Sequence, residues 1–246
     1  MPARAFSLLP PRHGLARVLS KAGLASRTVA AAWVRAGRVS VNGRVVRDPE
    51  HPVRVGLDAV AVDGRPLAVA ERVYLALNKP RGLITTADDE QGRDTVYRCL
   101  EGAGLPWVAP VGRLDQASEG LLLFTNDPGW AAAITDPRRG PDKTYHVQVA
   151  GVPDEAVLAA MQDGLEDRGE RLSAKAVRLL RSGGRTAWLE VVLDEGRNRQ
   201  IRRLAAAAGF PVRRLVRVAI GGLVLGALPK GAWRYLEARE VAALRG

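Results

Sequence analysis

The chain has 246 residues, 47% of them hydrophobic, which is enough for one large domain or for a small domain followed by a medium one. The single cysteine, Cys99, excludes an internal disulfide framework, and three histidines far apart in sequence argue against a structural zinc site. A net charge of +11 favours a polyanionic partner, nucleic acid above all, over the alternative that arginine is simply a frequent surface residue.

The chain begins with a segment, residues 1–13, that we expect to be a disordered tail. Pro10-Pro11 interrupts its apolar stretch before that stretch reaches the length of a signal-peptide core. No other run approaches the roughly 18 apolar residues that a membrane span requires. We therefore expect a soluble, cytoplasmic protein that does not enter a membrane.

The first quarter of the chain carries most of the positive charge. Residues 1–72 hold 12 Arg and Lys against 5 Asp and Glu, whereas the rest of the chain holds 25 against 21. Apolar spacing predicts two short helices, over residues 16–23 and 26–36, with Ser26 as the N-cap of the second. Asn42-Gly43 then predicts a tight hairpin, because both residues tolerate positive φ.

This basic helix-helix-hairpin stretch, over residues 14–66, resembles a small S-four-like RNA-binding domain first seen in a ribosomal small-subunit protein. The resemblance implies binding to structured RNA through shape and phosphate contacts. A basic helical cap without a ligand is the alternative. The candidate RNA contacts are Arg17, Lys21, Arg27 and Arg38.

A linker of mixed charge follows, so we place the S-four-like domain and its linker at 14–71 and a second domain at 72–246. Short apolar stretches in the second domain alternate with helix-like segments, which is an α+β pattern. The expected helices cover 156–161 and 199–208, and the expected strands cover 73–77, 120–125, 145–149, 187–193 and 221–225.

Asp115 is the first candidate for a reactive side chain in the second domain. It follows Arg113 by two residues and precedes the apolar run Leu121-Leu122-Leu123-Phe124. An ionised carboxylate can act as a nucleophile, and a neighbouring arginine favours the ionised form. Two alternatives remain open on these residues alone: a turn carboxylate that accepts local backbone N–H groups, and a glycosidase-like pair with Glu119. We expect Glu119 to be a solvated turn residue.

Five motifs follow one another in a fixed order: NKPRG at 78–82, GRLD at 112–115, KTYHVQV at 143–149, EGRNRQIRRL at 195–204 and RRLVRVAIGGLVLGALPKGAWRYL at 213–236. Together with the S-four-like domain, they resemble the RsuA/RluB/RluE/RluF family of ribosomal RNA pseudouridine synthases, from Arg17 to Leu244. The resemblance implies a catalytic domain with a mainly antiparallel mixed sheet flanked by helices. It also implies isomerisation of a specific uridine in ribosomal RNA without a cofactor or metal, and large-subunit RNA is slightly favoured over small-subunit RNA.

The resemblance assigns roles by position. Asp115 matches the essential aspartate, which acts as the nucleophile on a flipped-out uridine. Tyr145 matches the tyrosine that stacks on the base, and Arg202 matches the basic residue that pairs with the aspartate. We expect Arg113 to contact the RNA backbone or to fill the space that a flipped base leaves.

Residues 196–217 contain seven arginines and no acid. Because a solvated helix face normally mixes charges of both signs, this run favours an RNA-lined cleft, with Arg197, Arg199 and Arg203 as phosphate contacts. The expected partner is ribosomal RNA or a pre-ribosomal particle, bound by a monomer. Two alternatives remain: a non-catalytic RNA-binding ribosome-assembly factor, and a pseudouridine synthase that acts on other RNA.

Overall fold

A computed structural model describes residues 10–68, 70–87 and 89–245. The chain divides into two compact units, residues 1–72 with 105–109, and residues 73–104 with 110–246. The segment 105–109, which the sequence places in the second domain, therefore belongs to the first unit. Residues 1–9 of the expected tail lie outside the described residues. None of the helices in the described ranges is both long and apolar enough to cross a membrane.

The first unit packs two helices against short strands. Ser26 caps the second helix, since its Oγ accepts a hydrogen bond from Val29 N at 3.1 Å. Asn42 and Gly43 have φ of 51° and 78° at the hairpin tip, so the predicted cap and hairpin are both confirmed. The elements are β1 (Arg12–Gly14), α1 (Leu15–Lys21), α2 (Arg27–Arg35), β2 (Val39–Val41), β3 (Arg44–Val45), β4 (Pro52–Arg54), β5 (Val60–Val62) and β6 (Arg65–Pro66).

The end of the expected tail is ordered. Arg12 and His13 belong to β1, which pairs antiparallel with β4 through Arg12↔Arg54 and His13↔Val53. Two basic residues beside a helix start carry no strand pattern of their own, and the pairing comes from β4, about forty residues later in the chain. The core of the unit is formed by Leu15, Leu19, Ala30, Val34, Val39 and Val53, all fully buried.

The second unit is built on one large mixed sheet, which confirms the predicted α+β class with a mainly antiparallel sheet flanked by helices. Its elements are β7 (Tyr74–Lys79), a 3-10 helix (Val96–Leu100), β8 (Ala109–Val111), β9 (Glu119–Thr125), α3 (Pro128–Thr135), β10 (Lys143–Ala150), α4 (Glu155–Asp163), β11 (Leu165–Asp167), β12 (Glu170–Leu172), β13 (Ala176–Gly183), β14 (Thr186–Leu193), α5 (Gln200–Ala207), β15 (Val212–Ile220), β16 (Leu223–Val224), β17 (Trp233–Tyr235) and α6 (Ala238–Ala243).

The strand order of the sheet is β13-β14-β10-β15-β9-β7-β17, with β16 paired to β15 and β8 paired to β9. Along the seven-strand order every neighbouring pair is antiparallel except β15 and β9, which are parallel through Val216↔Glu119 and Arg217↔Gly120. Gly120 permits this contact: its φ is +101°, and a Cβ atom there would lie 2.2 Å from the carbonyl oxygen of Arg217.

Two halves of the sheet differ in how they are covered. In β13, β14, β10 and β15, which we call the open half, α4 and α5 pack on one face through Met161, Ile201 and Leu204. In β9 and β7, the covered half, α3 packs on one face through Trp130 and Ile134. The 3-10 helix covers the other face of β9, where the Tyr97 and Phe124 rings lie 5.8 Å apart.

Candidate active site

Asp115 lies in a fixed turn between β8 and β9. The preceding residue, Leu114, is buried, and its backbone is held on both sides: Thr85 Oγ1 donates to the Leu114 carbonyl at 2.7 Å and accepts from its N–H at 3.3 Å. Ser118 N donates to the Asp115 carbonyl at 2.9 Å, which closes the turn. The Asp115 side chain keeps 35% of its surface exposed, so the turn presents the carboxylate while its neighbours are fixed.

A buried lysine holds the backbone of this turn through hydrogen bonds. Lys79, the last residue of β7, is completely buried, and its Nζ donates to the carbonyls of Ser118 at 2.9 Å and Pro80 at 3.1 Å. Burial lowers the pKa of Lys79 to about 8, although the nearby Asp115 acts in the opposite direction. Lys79 belongs to the NKPRG motif but was not among the predicted site residues, although a lysine at the end of an otherwise apolar strand is a signal that the sequence carries.

Asp115 opens into a cavity of about 270 Å³. Six of the seven residues predicted for the site in the second domain line this Asp115 cavity, and Arg203 does not. Apolar side chains of Leu193, Ile201 and Leu215 form part of its wall. The six predicted residues are Arg113, Asp115, Tyr145, Arg197, Arg199 and Arg202.

Tyr145 reaches the cavity from the middle of the sheet. It lies on β10, paired with Val191 on one side and Arg217 on the other, and its ring packs against the core beneath α4 and α5. One ring therefore both packs against the core and lines the cavity. A flat ring held in this way can stack on a base without further ordering.

Arg202 does not form the expected direct pair with Asp115. Among the described residues the ion pair of Asp115 is with Arg199, whose Nη1 lies 3.4 Å from Oδ2. Arg202 Nη2 instead donates to the Ala117 carbonyl at 3.0 Å and to Ser118 Oγ at 3.4 Å. Burial and the neighbouring Arg199 lower the pKa of Arg202, while Asp115 opposes that shift. Arg202 thus holds the turn that carries the aspartate, and Arg199 meets the carboxylate itself.

The arginine-rich run 196–217 is not an unpaired cationic stripe. Arg197 contacts Glu195 at 2.9 Å and Glu170 at 3.1 Å, and Arg203 contacts Asp167 at 2.6 Å and Glu170 at 2.7 Å. The acids are absent from the run itself because they come from just before it and from β11 and β12, near in space and about thirty residues earlier. Arg197 and Arg203 therefore already have carboxylate partners, and their contact with RNA phosphates stays a prediction.

Glu119 is also placed differently from the expectation of a solvated turn. Its side chain is only 4% exposed, and Arg214 and Lys230 contact its two oxygens at 2.8 Å and 2.5 Å. Burial alone would raise the pKa of Glu119, but the hydrogen bonds from these two cations outweigh it and lower the pKa. A carboxylate saturated by two cations has no proton to give, which removes the glycosidase-like pair with Asp115 as an explanation of the site.

Two further cations line the cavity and were not singled out from the sequence. Lys143 is half-buried, and burial together with the charge of Arg217 lowers its pKa. Arg217 is 5% exposed, and its Nε donates to the Leu121 carbonyl at 2.7 Å. Lys143 is two residues before Tyr145 on a strand, so period-2 alternation could have predicted that both face the same side.

The predicted RNA contacts of the first unit fall into two groups. Arg17 and Lys21 lie one helical turn apart on α1, are exposed, and have no ion-pair partner among the residues that the structure describes. Arg27 pairs with Glu50 at 3.1 Å, and Arg38 pairs with Asp63 at 2.6 Å. Arg38 also lies 5.1 Å from the centre of the Trp33 ring.

Within the described ranges, no three His, Cys, Asp or Glu side chains are grouped in a way that could hold a metal ion. The lining of the Asp115 cavity carries three carboxylates, those of Asp115, Asp136 and Glu195, together with several cations and the Tyr145 ring. This set can bind an anionic polymer and place one carboxylate against a bound base or sugar.

Comparison with known proteins gives a consistent result. The sequence profile described as RNA pseudouridylate synthase matches residues 73–207, and the S4 domain profile matches residues 14–58. The chain is 38% identical to ribosomal large subunit pseudouridine synthase B of Bacillus subtilis, over 94% of this chain and 95% of that protein. It is 39% identical to an uncharacterized RNA pseudouridine synthase of Aquifex aeolicus, over 93% and 92%. A crystal structure of a pseudouridylate synthase matches with a TM-score of 0.65 and 30% identity, over 95% of this chain and 99% of that one.

Proposed function

Since the chain belongs to the RNA pseudouridylate synthase family, with an S4 domain ahead of the synthase domain, we propose that it isomerises a specific uridine of ribosomal RNA to pseudouridine, and that large-subunit RNA is the target. The name of the Bacillus subtilis relative, which is similar over nearly the whole of both chains, supports the large subunit. The S4 domain supports a folded RNA as substrate, because such RNA is recognised by shape and phosphate contacts.

The position of Asp115 carries the mechanistic part of the proposal. Its half-exposed carboxylate shares one cavity with Tyr145 and Arg202 and is fixed by Thr85 and Lys79 through the backbone of its turn. We assign Asp115 as the nucleophile. A preorganised turn of this kind positions the reacting atom before substrate arrives, which lowers the entropic cost of the reaction.

The reaction rearranges one nucleotide without adding or removing atoms. The N1–C1′ bond of uridine breaks, the uracil turns, a C5–C1′ bond forms, C5 loses its proton and N1 gains one. The base must first leave its stack, which costs a few kcal/mol. Stacking on Tyr145 offsets that cost, since base-aromatic stacking is worth about 1–3 kcal/mol.

The predicted phosphate contacts differ in whether they already have an ion-pair partner. We propose that Arg113 at the cavity, and Arg17 and Lys21 on α1, contact RNA phosphates, because they are exposed and have no ion-pair partner among the described residues. Arg199 is exposed as well, but it pairs with Asp115 and would bind phosphate by exchanging that carboxylate. The other four predicted contacts already have a carboxylate partner and would bind phosphate by exchanging it. These four are Arg27, Arg38, Arg197 and Arg203.

We further propose that the chain acts as a cytoplasmic monomer on ribosomal RNA or a pre-ribosomal particle. One chain holds both an S4 domain and a synthase domain, so docking and chemistry do not require a second subunit. Sedimentation of the free protein, and of the protein mixed with pre-ribosomal particles, measures both points.

Asp115→Asn tests the function. The amide keeps the size of the side chain and removes its charge, so pseudouridine formation in ribosomal RNA should fall below detection while RNA affinity stays within about twofold. Asp163→Asn, which removes an acid at the exposed end of α4 outside the cavity, is the matched control and should retain activity. Pseudouridine mapping of ribosomal RNA after incubation with each variant is the measurement.

Two results would contradict this proposal. Pseudouridine formation by Asp115→Asn at the wild-type rate would remove Asp115 from the chemistry. A wild-type protein that binds ribosomal RNA and leaves every uridine unmodified would favour the assembly-factor alternative.

A further inference from the structure

The open half of the sheet has a second face that none of the helices within the described residues covers, which we call the outer face. On β14 the buried residues Ala187, Leu189, Val191 and Leu193 face α4 and α5, and the residues between them are partly exposed. Because side chains alternate across a strand, Trp188 and Glu190 lie on the outer face.

Four outer-face side chains form one row across four strands. The strand register pairs Arg181 with Trp188, Trp188 with Gln148, and Gln148 with Arg214. At the usual strand spacing the row spans roughly 14 Å. The guanidinium of Arg181 lies 5.3 Å, and that of Arg214 5.8 Å, from the centre of the Trp188 ring.

A β-bulge in β13 places Arg181 in this row. The register shifts between Leu179 and Arg181, so that Leu180 is skipped and Arg181 lies opposite Trp188. Without the shift, the apolar Leu180 would be opposite the indole and Arg181 would turn toward the core. Bulges of this kind commonly re-aim a side chain at a functional surface.

The outer face is positively charged. Arg178, Arg181, Arg214 and Lys230 lie on or beside it, against the carboxylates of Glu190 and the buried Glu119. Arg181 is exposed and has no ion-pair partner among the described residues. A cation stacked on an aromatic ring without a carboxylate leaves its donors available to a phosphate.

We propose that the outer face binds an unpaired segment of RNA, with phosphates on Arg181 and a base stacked on the Trp188–arginine row. The surface is separate from the Asp115 cavity, which lies on the face of the sheet covered by α5. Unpaired RNA fits because its bases are free to stack on aromatic rings and guanidinium planes. A protein partner fits less well, since the row is polar and charged groups are depleted from the centres of protein interfaces. The inference rests on the proposed RNA substrate but not on Asp115 chemistry.

The test measures RNA binding by the full-length protein in an Asp115→Asn background, with a fluorescein-labelled unstructured 20-nucleotide RNA as probe. Arg181→Ala should reduce the slope of log affinity against log salt by about 0.7, the value for one phosphate contact on a single strand. Trp188→Ala should weaken binding about tenfold through lost stacking. Ultraviolet crosslinking should join the probe to the peptide that contains Trp188.

Arg239→Ala is the matched control. It removes the same charge from an exposed position on α6, beside Glu237, and should leave both slope and affinity unchanged apart from a small general effect. Trp188 is partly buried, so Trp188→Ala can also lower the stability of the protein. Arg181 is exposed, so Arg181→Ala tests RNA binding at the same surface without removing a buried side chain.

Wild-type affinity and slope for Arg181→Ala, without a crosslink at Trp188, would overturn the inference. A crosslink to another protein at Trp188, in place of RNA, would overturn it as well. This outcome is distinguishable from failure of the proposed function. Loss of affinity in Arg181→Ala supports RNA binding at the outer face even when no uridine is modified. Isomerisation at saturating RNA by an Arg181→Ala variant that retains Asp115 supports the Asp115 chemistry whatever the outer face binds.

Discussion

The covered and open halves of the sheet use similar strand lengths in different ways. In β9 every residue from Glu119 to Thr125 is buried, because α3 lies on one side and the 3-10 helix on the other. In β14 every second residue is buried, because α4 and α5 cover a single face. The covered half, buried on both faces, carries the Asp115 turn, and the open half leaves one face partly exposed to solvent.

The difference in how the two halves are covered also explains why β9 has a continuous apolar run and β14 an alternating pattern. A continuous apolar run such as Leu121-Leu122-Leu123-Phe124 is what a strand buried on both faces requires, and alternation is what a half-covered strand requires. The Asp115 cavity lies where the halves meet: Asp115 precedes β9 of the covered half, and Tyr145 lies on β10 of the open half.

The largest effect is expected at the junction between the halves. Gly120→Ala places a Cβ atom 2.2 Å from the Arg217 carbonyl oxygen in a residue with positive φ, so we expect the free energy of unfolding to fall by more than about 4 kcal/mol. Gly102→Ala is the control, because Gly102 also has positive φ but nothing within 4 Å, and should cost about 1–2 kcal/mol. Urea denaturation measures both, and equal losses would show that the close approach of β15 is not what requires Gly120.

A smaller effect separates the two faces of each half. Leu122→Ala and Leu123→Ala in β9 remove buried side chains from opposite faces. Each should lower the free energy of unfolding by about 3 kcal/mol. In β14, Leu189 is buried and Leu189→Ala should lower the free energy of unfolding by about as much. Val192 is partly exposed, so Val192→Ala should lower it by less than about 1 kcal/mol. Thermal unfolding of the four variants tests the asymmetry, which would be refuted by a full core penalty at Val192.

The smallest effect depends on pH. The Lys79 pKa falls from 10.5 to about 8 on folding, so the protonated lysine costs stability below pH 8, and that cost disappears as the pH rises toward 10.5. The free energy of unfolding of the wild type, relative to Lys79→Met, should therefore rise by at most about 3 kcal/mol over this range. Denaturation at pH 7, 8, 9 and 10 measures it, and a constant difference between the two proteins would exclude a depressed lysine pKa.

Local signals predicted the fold well where the structure is local. Ser26 and Asn42-Gly43 act within a few residues of themselves, and both predictions held. The strands β13 and β15 were not expected, because charged side chains on the exposed face interrupt their apolar pattern. The expected strand at 221–225 is only Leu223–Val224, since Gly221 and Gly222 form the turn that follows β15.

The candidate site, like the fold, could be predicted only where the signal lies in neighbouring residues. The residues around the Asp115 cavity could be named from their motifs, but their partners could not, because those partners come from elsewhere in the chain. Arg203 meets Asp167 across 36 residues, and Glu119 meets Arg214 across 95. Charge counted along a segment therefore overstated how many arginines are free.

The position of β15 in the sheet has a consequence for the order in which the protein is made. β9 and β10 are separate in the sheet, and β15 lies between them although it follows both in the chain. A nascent chain that has not yet reached Val212 can pair β7 with β9, and β10 with β14, but no strand of the sheet joins the two sets. The sheet that holds Asp115 and Tyr145 at one cavity is therefore complete only after most of the chain has left the ribosome, and a shorter nascent chain lacks the finished site.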